Sequence, residues 1–207
     1  MQLTNRFVAE KSNRSITIKG MKPIIVFDLD ETLGDFGELS LLWPYDKVEK
    51  SRFANFCHFM NNNTQCYSPW VNKLAQLAIA RDKGDIRAIV IYTNNNGDHS
   101  WANAIAGHIG VMHKKRIFDA VIGGYSASLG LDQCRSSSRK TYEELCNCLG
   151  VNDDTPVVFI DDQEHPGMRH PNVKYVRTKA YRNRPNNRKS RRRKARGMRM
   201  TRRVGRT

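Results

Sequence analysis

The stretch "IIVFDLDETLG", Ile24–Gly34, joins an apolar run to three acidic residues, Asp28, Asp30 and Glu31. A short run that is apolar throughout is typical of a strand covered on both faces of a sheet. In one strand alone, the acidic group would be an ordinary polar transition into a loop. Like charges this close repel, however, so the stretch also raises the question of what neutralises them.

Strand-like and helix-like segments alternate along the rest of the body. Apolar runs predict further strands at Ile86–Thr93, Phe118–Gly123, Pro156–Asp161 and, at an edge, Asn172–Val176. Helical periodicity and glycine stops predict helices between them, within residues 50–62, 68–84, 98–110 and 137–150. Alternating strands and helices with short connections predict an α/β fold with a doubly wound, Rossmann-like parallel sheet.

Polar side chains follow three of these strands at the point where each strand ends. The pairs are Asp28 with Asp30, Thr93 with Asn94, and Asp161 with Asp162. In open α/β sheets, ligands bind beyond the carboxyl ends of the strands, so the pairs are expected to converge. Crowded carboxylates need a cation, and hard oxygen ligands of this kind suit Mg²⁺ together with a substrate phosphate. The sequence therefore predicts a magnesium site at one edge of the sheet.

Asp28-Leu29-Asp30-Glu31-Thr32 resembles the DxDxT motif of the haloacid-dehalogenase-like phosphohydrolase superfamily. "DLDETL" is the form typical of its small C-terminal-domain phosphatase (NLI-interacting-factor-like) branch. Thr93 after an apolar strand, Lys140 at a helix start and "VVFIDD", Val157–Asp162, resemble the superfamily's later motifs and occur in the same order. The resemblance covers roughly Pro23–Val176.

This resemblance implies a phosphatase, a phosphoric monoester hydrolase, and gives roles to the residues that carry it. Asp28 would be the nucleophile that forms an aspartyl-phosphate, and Asp30 the general acid and then the base. Thr93 and Asn94 would bind the phosphoryl group, and Lys140 would balance charge there. The branch dephosphorylates proteins, so the implied substrate is a phosphoprotein, with serine or threonine as the modified residue.

The implied cofactor is Mg²⁺, held by Asp28, the backbone carbonyl of Asp30 and the Asp161–Asp162 pair. By analogy with the superfamily, Asp162 is the direct ligand, and Asp161 orients Lys140 or a metal-bound water.

Two of the assignments rest on single residues and have competitors. Arg135 and Arg139 lie in the same segment as Lys140 and carry the same charge. Thr93 also fits a helix-capping role. Residues 34–50 fill the place where the phosphatase branch carries an insertion, which predicts a small flap, but their sequence does not match that branch, so no peptide specificity is implied.

The C-terminal 31 residues hold fifteen of the 35 Lys and Arg and none of the Asp and Glu. They predict a disordered tail, residues 177–207, after a domain at 23–176 and an N-terminal extension at 1–22. The densest run is typical of nuclear-localisation or nucleic-acid-binding segments, and its candidate contacts are Arg188, Lys189, Arg191, Arg192, Arg193, Lys194 and Arg196.

Composition indicates where the protein acts. No apolar run is long enough to span a membrane, and residues 1–20 lack an apolar stretch of signal-peptide length. Five cysteines, an odd number with no CxxC pair, predict reduced thiols in an intracellular compartment. We therefore expect an intracellular monomer, in the nucleus or in a nucleoprotein or virus particle, whose tail binds nucleic acid or nuclear import machinery.

Two other functions fit the same sequence. The first is a polynucleotide 3′-phosphatase, for which the tail would supply the substrate. The second is a non-catalytic nucleic-acid-binding or packaging protein that keeps the scaffold of a phosphatase.

Overall fold

The structure is a computed structural model that describes residues 21–45, 47–95, 100–125 and 134–183. The predicted N-terminal extension, except for its last two residues, lies outside these ranges. So do residues 184–207, which include every predicted nucleic-acid contact of the tail.

The centre of the molecule is a five-stranded parallel sheet. Its strands, in chain order, are β1 (Ile24–Phe27), β2 (Ala88–Tyr92), β3 (Ala120–Ile122), β4 (Val157–Asp161) and β5 (Val173–Arg177). The spatial order is β3-β2-β1-β4-β5, and every neighbouring pair is parallel. The predicted α/β fold with a parallel sheet is confirmed, including the edge strand. The chain order reverses at β1, so the carboxyl end of β1 lies at a switch point.

Helices cover both faces of the sheet. They are α1 (Phe36–Ser40), α2 (Phe53–Asn61), α3 (Trp70–Asp82), α4 (Ser100–Met112) and α5 (Tyr142–Leu149). Side chains of α1 to α4 form one apolar cluster with Ile25 and Phe27. Side chains of α5 form a second cluster with Ile24 and Val26, because successive strand residues point to opposite faces. The sheet is therefore doubly wound, as predicted.

The end of one helix differs from the prediction. Helix α4 continues past Gly110 to Met112, where the sequence predicted a glycine stop. Gly110 lies within the helix at a tight contact, since a Cβ there would lie 3.2 Å from the carbonyl oxygen of Lys115. Helix α5 does end as predicted, with Gly150 in the left-handed region at φ 61°.

The segment predicted to form a flap, residues 34–50, contains α1 and packs on the α2–α4 layer. Its side chains Phe36, Leu39, Trp43 and Val48 are buried. It also borders a cavity of about 440 Å³ whose lining reaches Asn95.

The C-terminal end of the described chain is attached to the body beyond the predicted boundary. Arg177 is the last residue of β5, and the following residues cross the loop after β1. The Tyr181 backbone N–H donates to the Glu31 carbonyl oxygen at 2.6 Å, and the Tyr181 hydroxyl donates to the Gln65 carbonyl oxygen at 2.8 Å. The Asn183 N–H reaches the Asp35 carboxylate at 2.9 Å. Residues 177–183 therefore belong with the body, not with a detached tail.

One cysteine prediction is wrong. Cys134 and Cys148 form a disulfide with a Cα–Cα distance of 5.0 Å, whereas the sequence predicted reduced thiols throughout. No signal in the spacing pointed to this pair, because the two residues meet only when the segment before α5 folds back against that helix. Among the described residues, Cys57, Cys66 and Cys146 are free.

Within the described ranges, no helix is both long and apolar enough to cross a membrane.

Candidate active site

The site lies beyond the carboxyl end of β1, the central strand. Asp28 follows β1 directly, and its backbone N–H donates to the Ile160 carbonyl oxygen on β4 at 2.9 Å. The ends of β2 and β4 flank it because both strands pair with β1 in parallel register. Together these ends enclose a cavity of about 190 Å³, lined by Asp28, Asp30, Thr93, Asn94, Asn95, Lys140, Asp161, Gln163 and His165. The convergence predicted from the strand ends is therefore observed.

Lys140 is the cation of the site. Its side chain is 1 % exposed, and its Nζ donates to Asp28 Oδ1 at 2.5 Å and to Asp161 Oδ2 at 2.7 Å. Of its two competitors from the sequence, Arg139 is exposed and Arg135 is buried elsewhere. Lys140 directly precedes Thr141, the N-cap of α5, so the start of this helix places it at the cavity.

Asp161 and Asp162, at the end of β4, contact different parts of the site. Asp161 Oδ1 accepts from the backbone N–H of Gln163 at 2.7 Å, and its Oδ2 lies 3.2 Å from His165 Nε2. Asp162 Oδ1 accepts from the Thr32 hydroxyl at 3.2 Å. Asp161 thus faces Lys140 and His165, while Asp162 is anchored to the loop that follows β1.

Burial shifts the acid–base properties of these carboxyl groups. Desolvation, with a further contribution from Asp161, raises the pKa of Asp28 to about 7 although Lys140 works in the opposite direction. Desolvation also raises the pKa of Asp30 to about 6, opposed by the hydrogen bond from Asn95. Desolvation and the charge of Asp161 raise the pKa of Asp162. Asp161 is the exception: desolvation is outweighed by its bonds from His165 and Lys140, which lower its pKa.

The carboxylates have the close spacing and the excess of negative charge that suit a divalent cation. Oxygen atoms of Asp28, Asp161 and Asp162 lie within 4.8 Å of one another, and all three residues are buried. Desolvation is the main cause of the raised pKa values of Asp28 and Asp162, and the negative charge of Asp161 raises both further. Asp30 Oδ1 is buried and has no hydrogen-bond partner among the described residues. An all-oxygen donor set of this kind fits Mg²⁺.

The end of β2 supplies the polar side chains opposite the carboxylates. Thr93 is buried, and its Oγ1 accepts from the Asn95 backbone N–H at 3.1 Å. The Asn95 amide donates to Asp30 Oδ2 at 3.3 Å. Arg135 donates to the Thr93 carbonyl oxygen and to Asn94 Oδ1, each at 2.9 Å. The loop after β2 is therefore bonded to Asp30 on one side and to Arg135 on the other.

The loop after β1 turns sharply to present Asp30. Glu31 has φ 61°, a left-handed conformation that is uncommon outside glycine. Gly34 closes the turn, because a Cβ there would lie 2.6 Å from the Cys66 carbonyl oxygen. Arg182 forms an ion pair of 2.8 Å with Glu31, so the C-terminal segment supports the turn.

The sequence placed seven side chains at this site, namely Asp28, Asp30, Thr93, Asn94, Lys140, Asp161 and Asp162. Three further residues line the cavity and were not predicted as site residues: Asn95, Gln163 and His165. Asn95 and Gln163 directly follow predicted residues at strand ends, so extending the strand-end rule by one residue would have found them. Arg135 was named only as a competitor of Lys140, and it lies outside the cavity lining, where it holds Thr93 and Asn94. Arg135 carries no sequence signal beyond its charge.

Comparison with protein-family models and with curated proteins finds no match. Among solved structures, the chain has a weak likeness to CbbY from Rhodobacter sphaeroides in complex with phosphate. Sequence identity is 12 %, the alignment covers 80 % of this chain and 90 % of CbbY, and the TM-score is 0.35. Similarity this low supports no conclusion about family or activity.

Proposed function

We propose that this protein is a Mg²⁺-dependent phosphomonoester hydrolase that works through an aspartyl-phosphate on Asp28. The observation that carries the proposal is the buried cluster at the end of β1, where Lys140 bridges Asp28 and Asp161 beside Asp162. It agrees with the order of motifs that resembles the haloacid-dehalogenase-like phosphohydrolases.

In the first step, a carboxylate oxygen of Asp28 attacks phosphorus and the bond to the leaving oxygen breaks. Asp30 gives its proton to that oxygen, a role that suits a carboxyl group with a pKa of about 6. In the second step, water attacks phosphorus, Asp30 takes back a proton, and the bond to Asp28 breaks to release inorganic phosphate.

The other side chains would stabilise charge on the phosphoryl group. Lys140, Thr93 and Asn94 line the cavity and would donate hydrogen bonds to its oxygens. Mg²⁺, held by Asp28, the carbonyl oxygen of Asp30 and Asp162, would neutralise the remaining negative charge when bound. Asp161 would hold Lys140 in place, which is consistent with their 2.7 Å contact.

The first experiment measures Mg²⁺-dependent phosphate release from a generic aryl phosphate. The wild-type protein should turn over, and Asp28→Asn should lose activity by about a thousandfold or more, because it removes the nucleophile. Asp153→Asn is the matched control, since Asp153 is exposed and lies outside the cavity. Equal activity of wild type and Asp28→Asn would refute the mechanism.

For the substrate, we propose a phosphoserine or phosphothreonine protein, which follows the resemblance to the C-terminal-domain phosphatase branch. A polynucleotide 3′-phosphate is the second candidate, and it is favoured by the twelve Lys and Arg in residues 184–207. Turnover of a phosphoserine peptide and of a 3′-phosphorylated oligonucleotide, compared by kcat/KM, decides between them. Nucleic-acid binding with no turnover of either would favour a non-catalytic binding or packaging role.

The same proposal extends to location and partners. Neutralisation of phosphates by the basic C-terminal residues would bring the enzyme to nucleic acid, in a nucleus or a nucleoprotein particle. A reporter fused to residues 184–207 tests nuclear import, with a version in which Arg191, Arg192 and Arg193 are replaced by Ser as its control. Cytoplasmic retention of the first fusion would exclude an import signal there.

A further inference from the structure

Arg135 has more buried contacts than the proposed chemistry explains. It is 3 % exposed, and its guanidinium donates to the carbonyl oxygens of Thr93 and Gly123 and to Asn94 Oδ1, at 2.9, 3.3 and 2.9 Å. Its Cζ lies 4.7 Å from the centre of the Tyr92 ring. These contacts join the ends of β2 and β3 to one side chain that is not itself part of the cavity lining.

The bond to Asn94 has a chemical consequence for the site. A guanidinium only donates, so Asn94 Oδ1 must be the acceptor of this bond, and the bond fixes the orientation of the Asn94 amide. The other end of the amide is the donor, and Asn94 lines the catalytic cavity. Arg135 therefore selects which end of Asn94 can meet a phosphoryl oxygen.

The position of Arg135 is in turn set by α5. Its Nε lies 3.6 Å from Glu144 Oε2, and Glu144 Oε1 accepts from the backbone N–H groups of Ser136 and Ser137 at 2.9 and 3.1 Å. Glu144 thus holds the segment that carries Arg135 against the helix.

A covalent bond closes the same segment. The Cys134–Cys148 disulfide spans 14 positions and encloses both Arg135 and Lys140. Cys134, next to Arg135, is exposed, so an external reductant can reach the bond.

We propose that Arg135 is a positioning residue for the phosphate-binding loop, residues 93–95, and that the Cys134–Cys148 disulfide locks it in place. The inference rests on the proposed function for its effect on turnover, but not for its effect on the loop. A dithiol reductant would transfer two electrons and two protons to the disulfide. The S–S bond would break to give two protein thiols, the dithiol would become a disulfide, and the arginine clamp would loosen.

The test that does not depend on activity is amide hydrogen exchange. The Thr93 N–H is bonded to the Ile122 carbonyl oxygen and the Asn95 N–H to Thr93 Oγ1, so both amides report on the loop. In Arg135→Met their exchange should rise about tenfold or more, the scale on which losing a charge-assisted hydrogen bond shifts an equilibrium. Exchange in β1 should not change. Arg81→Met, which removes a different partly buried arginine, is the matched control.

The disulfide is tested in the full-length protein with and without a dithiol, and in the double variant Cys134→Ser, Cys148→Ser. Reduction by the dithiol and the double substitution should each raise amide exchange in residues 93–95. Each should also weaken binding of inorganic phosphate in the presence of Mg²⁺ by about tenfold. Cys57→Ser is the control, because Cys57 is a free thiol on α2. On an aryl phosphate, KM should rise more than kcat falls.

The outcomes separate this inference from the proposed function. Faster loop exchange in Arg135→Met, with no phosphate release by the wild type, would keep the clamp and refute the enzyme. Unchanged exchange and unchanged phosphate affinity in a folded Arg135→Met would overturn the clamp even in an active enzyme. If Arg135→Met does not fold, Arg135→Lys and the double cysteine variant give the same readouts, and wild-type exchange in both would overturn it.

Discussion

At the scale of single residues, the site is a set of negative charges that the folded protein compensates only in part. Asp28 shows this most clearly, because burial raises its pKa to about 7 despite a direct bond to Lys140. A carboxyl group whose pKa is raised on folding gives stability that is complete below its unfolded pKa. That stability is lost as pH rises through the folded pKa.

The first prediction follows from this direction of the pH dependence of stability. The metal-free protein should lose unfolding free energy as pH rises from about 4 to about 7, by an amount on the order of 4 kcal/mol for Asp28, whose pKa rises from 3.8 to about 7 on folding. Asp28→Asn should flatten that part of the curve, because it removes the charge that folding buries. Chemical unfolding of both proteins in a chelator, at several pH values, measures the difference. Parallel curves for the two proteins would contradict the assignment.

Added Mg²⁺ provides a second prediction from the same carboxylates. A cation that binds only the folded state raises Tm, and it should do so more at pH 8 than at pH 5, where protons compete for the raised-pKa carboxyl groups of Asp28 and Asp162. Asp162→Asn should remove most of the effect, since it takes one oxygen donor from the cluster. Asp85→Asn, at an exposed position, serves as the control. A Tm that does not respond to Mg²⁺ at pH 8 would argue against the metal site.

Lys140 provides a third prediction. Lys140→Met should lower kcat on an aryl phosphate by about a hundredfold or more, since preorganised charge at the reacting group is usually a large contribution to catalysis. Arg139→Met changes the neighbouring cation, which is exposed, and should leave kcat unchanged. A larger loss for Arg139→Met than for Lys140→Met would reverse the assignment.

The carboxylates and the lysine of the site differ in how far the sequence could predict them. The carboxylates were predictable because they directly follow strands, and parallel strands bring their carboxyl ends to one edge. The choice among Lys140, Arg139 and Arg135 was not predictable from charge. It depends on where α5 begins and on how the preceding segment folds back, which only the tertiary contacts of Glu144 and the disulfide determine.

At the scale of elements, the fold was predictable to the extent that its signals are local. Apolar runs predicted the strands, and β1, β2 and β4 lie within the runs that predicted them. Glycine was less informative. It ends α5 at Gly150, where the left-handed φ requires it, but α4 passes through Gly107 and Gly110. A Cβ at Gly107 would meet the Phe53 ring at 3.0 Å, so that glycine serves packing between helices, which a single sequence does not reveal.

The turn after β4 provides a fourth prediction at this scale. A Cβ on Gly167 would lie 2.8 Å from the Lys140 carbonyl oxygen and 2.7 Å from Thr141 Cγ2. Gly167→Ala should therefore displace the start of α5, cost about 1–3 kcal/mol of stability and lower kcat by moving Lys140. Gly37→Ala is the control, because nothing lies within 4 Å of its Cβ position. Wild-type kcat and stability in Gly167→Ala would show that the turn can shift without moving the helix.

At the scale of the whole molecule, the boundary in charge and the boundary in structure do not coincide. Composition changes near residue 177, but Arg177 belongs to β5 and Arg182 pairs with Glu31 on the loop that presents Asp30. The sequence could not separate these two boundaries. A basic residue that pairs with an acid on the body looks the same in composition as one that does not.

The last prediction uses this difference to separate folding from nucleic-acid binding. A chain that ends at Asn183 keeps the contacts to Glu31, Gln65 and Asp35, so its Tm and its turnover of an aryl phosphate should match the full-length protein. It lacks twelve basic residues, so its affinity for DNA should fall and the salt dependence of binding should become shallower. A chain that ends at Val176 also loses the contacts to Glu31, Gln65 and Asp35. Its Tm should fall by several degrees, the shift expected for a loss of about 1–2 kcal/mol, and its kcat should fall with it.

Melting curves, aryl phosphate turnover and DNA titrations at two salt concentrations on the three chains measure all of these effects. Equal Tm and kcat for the two truncated chains would mean that residues 177–183 do not support the loop. Unchanged DNA affinity after truncation at Asn183 would place nucleic-acid binding on the body instead.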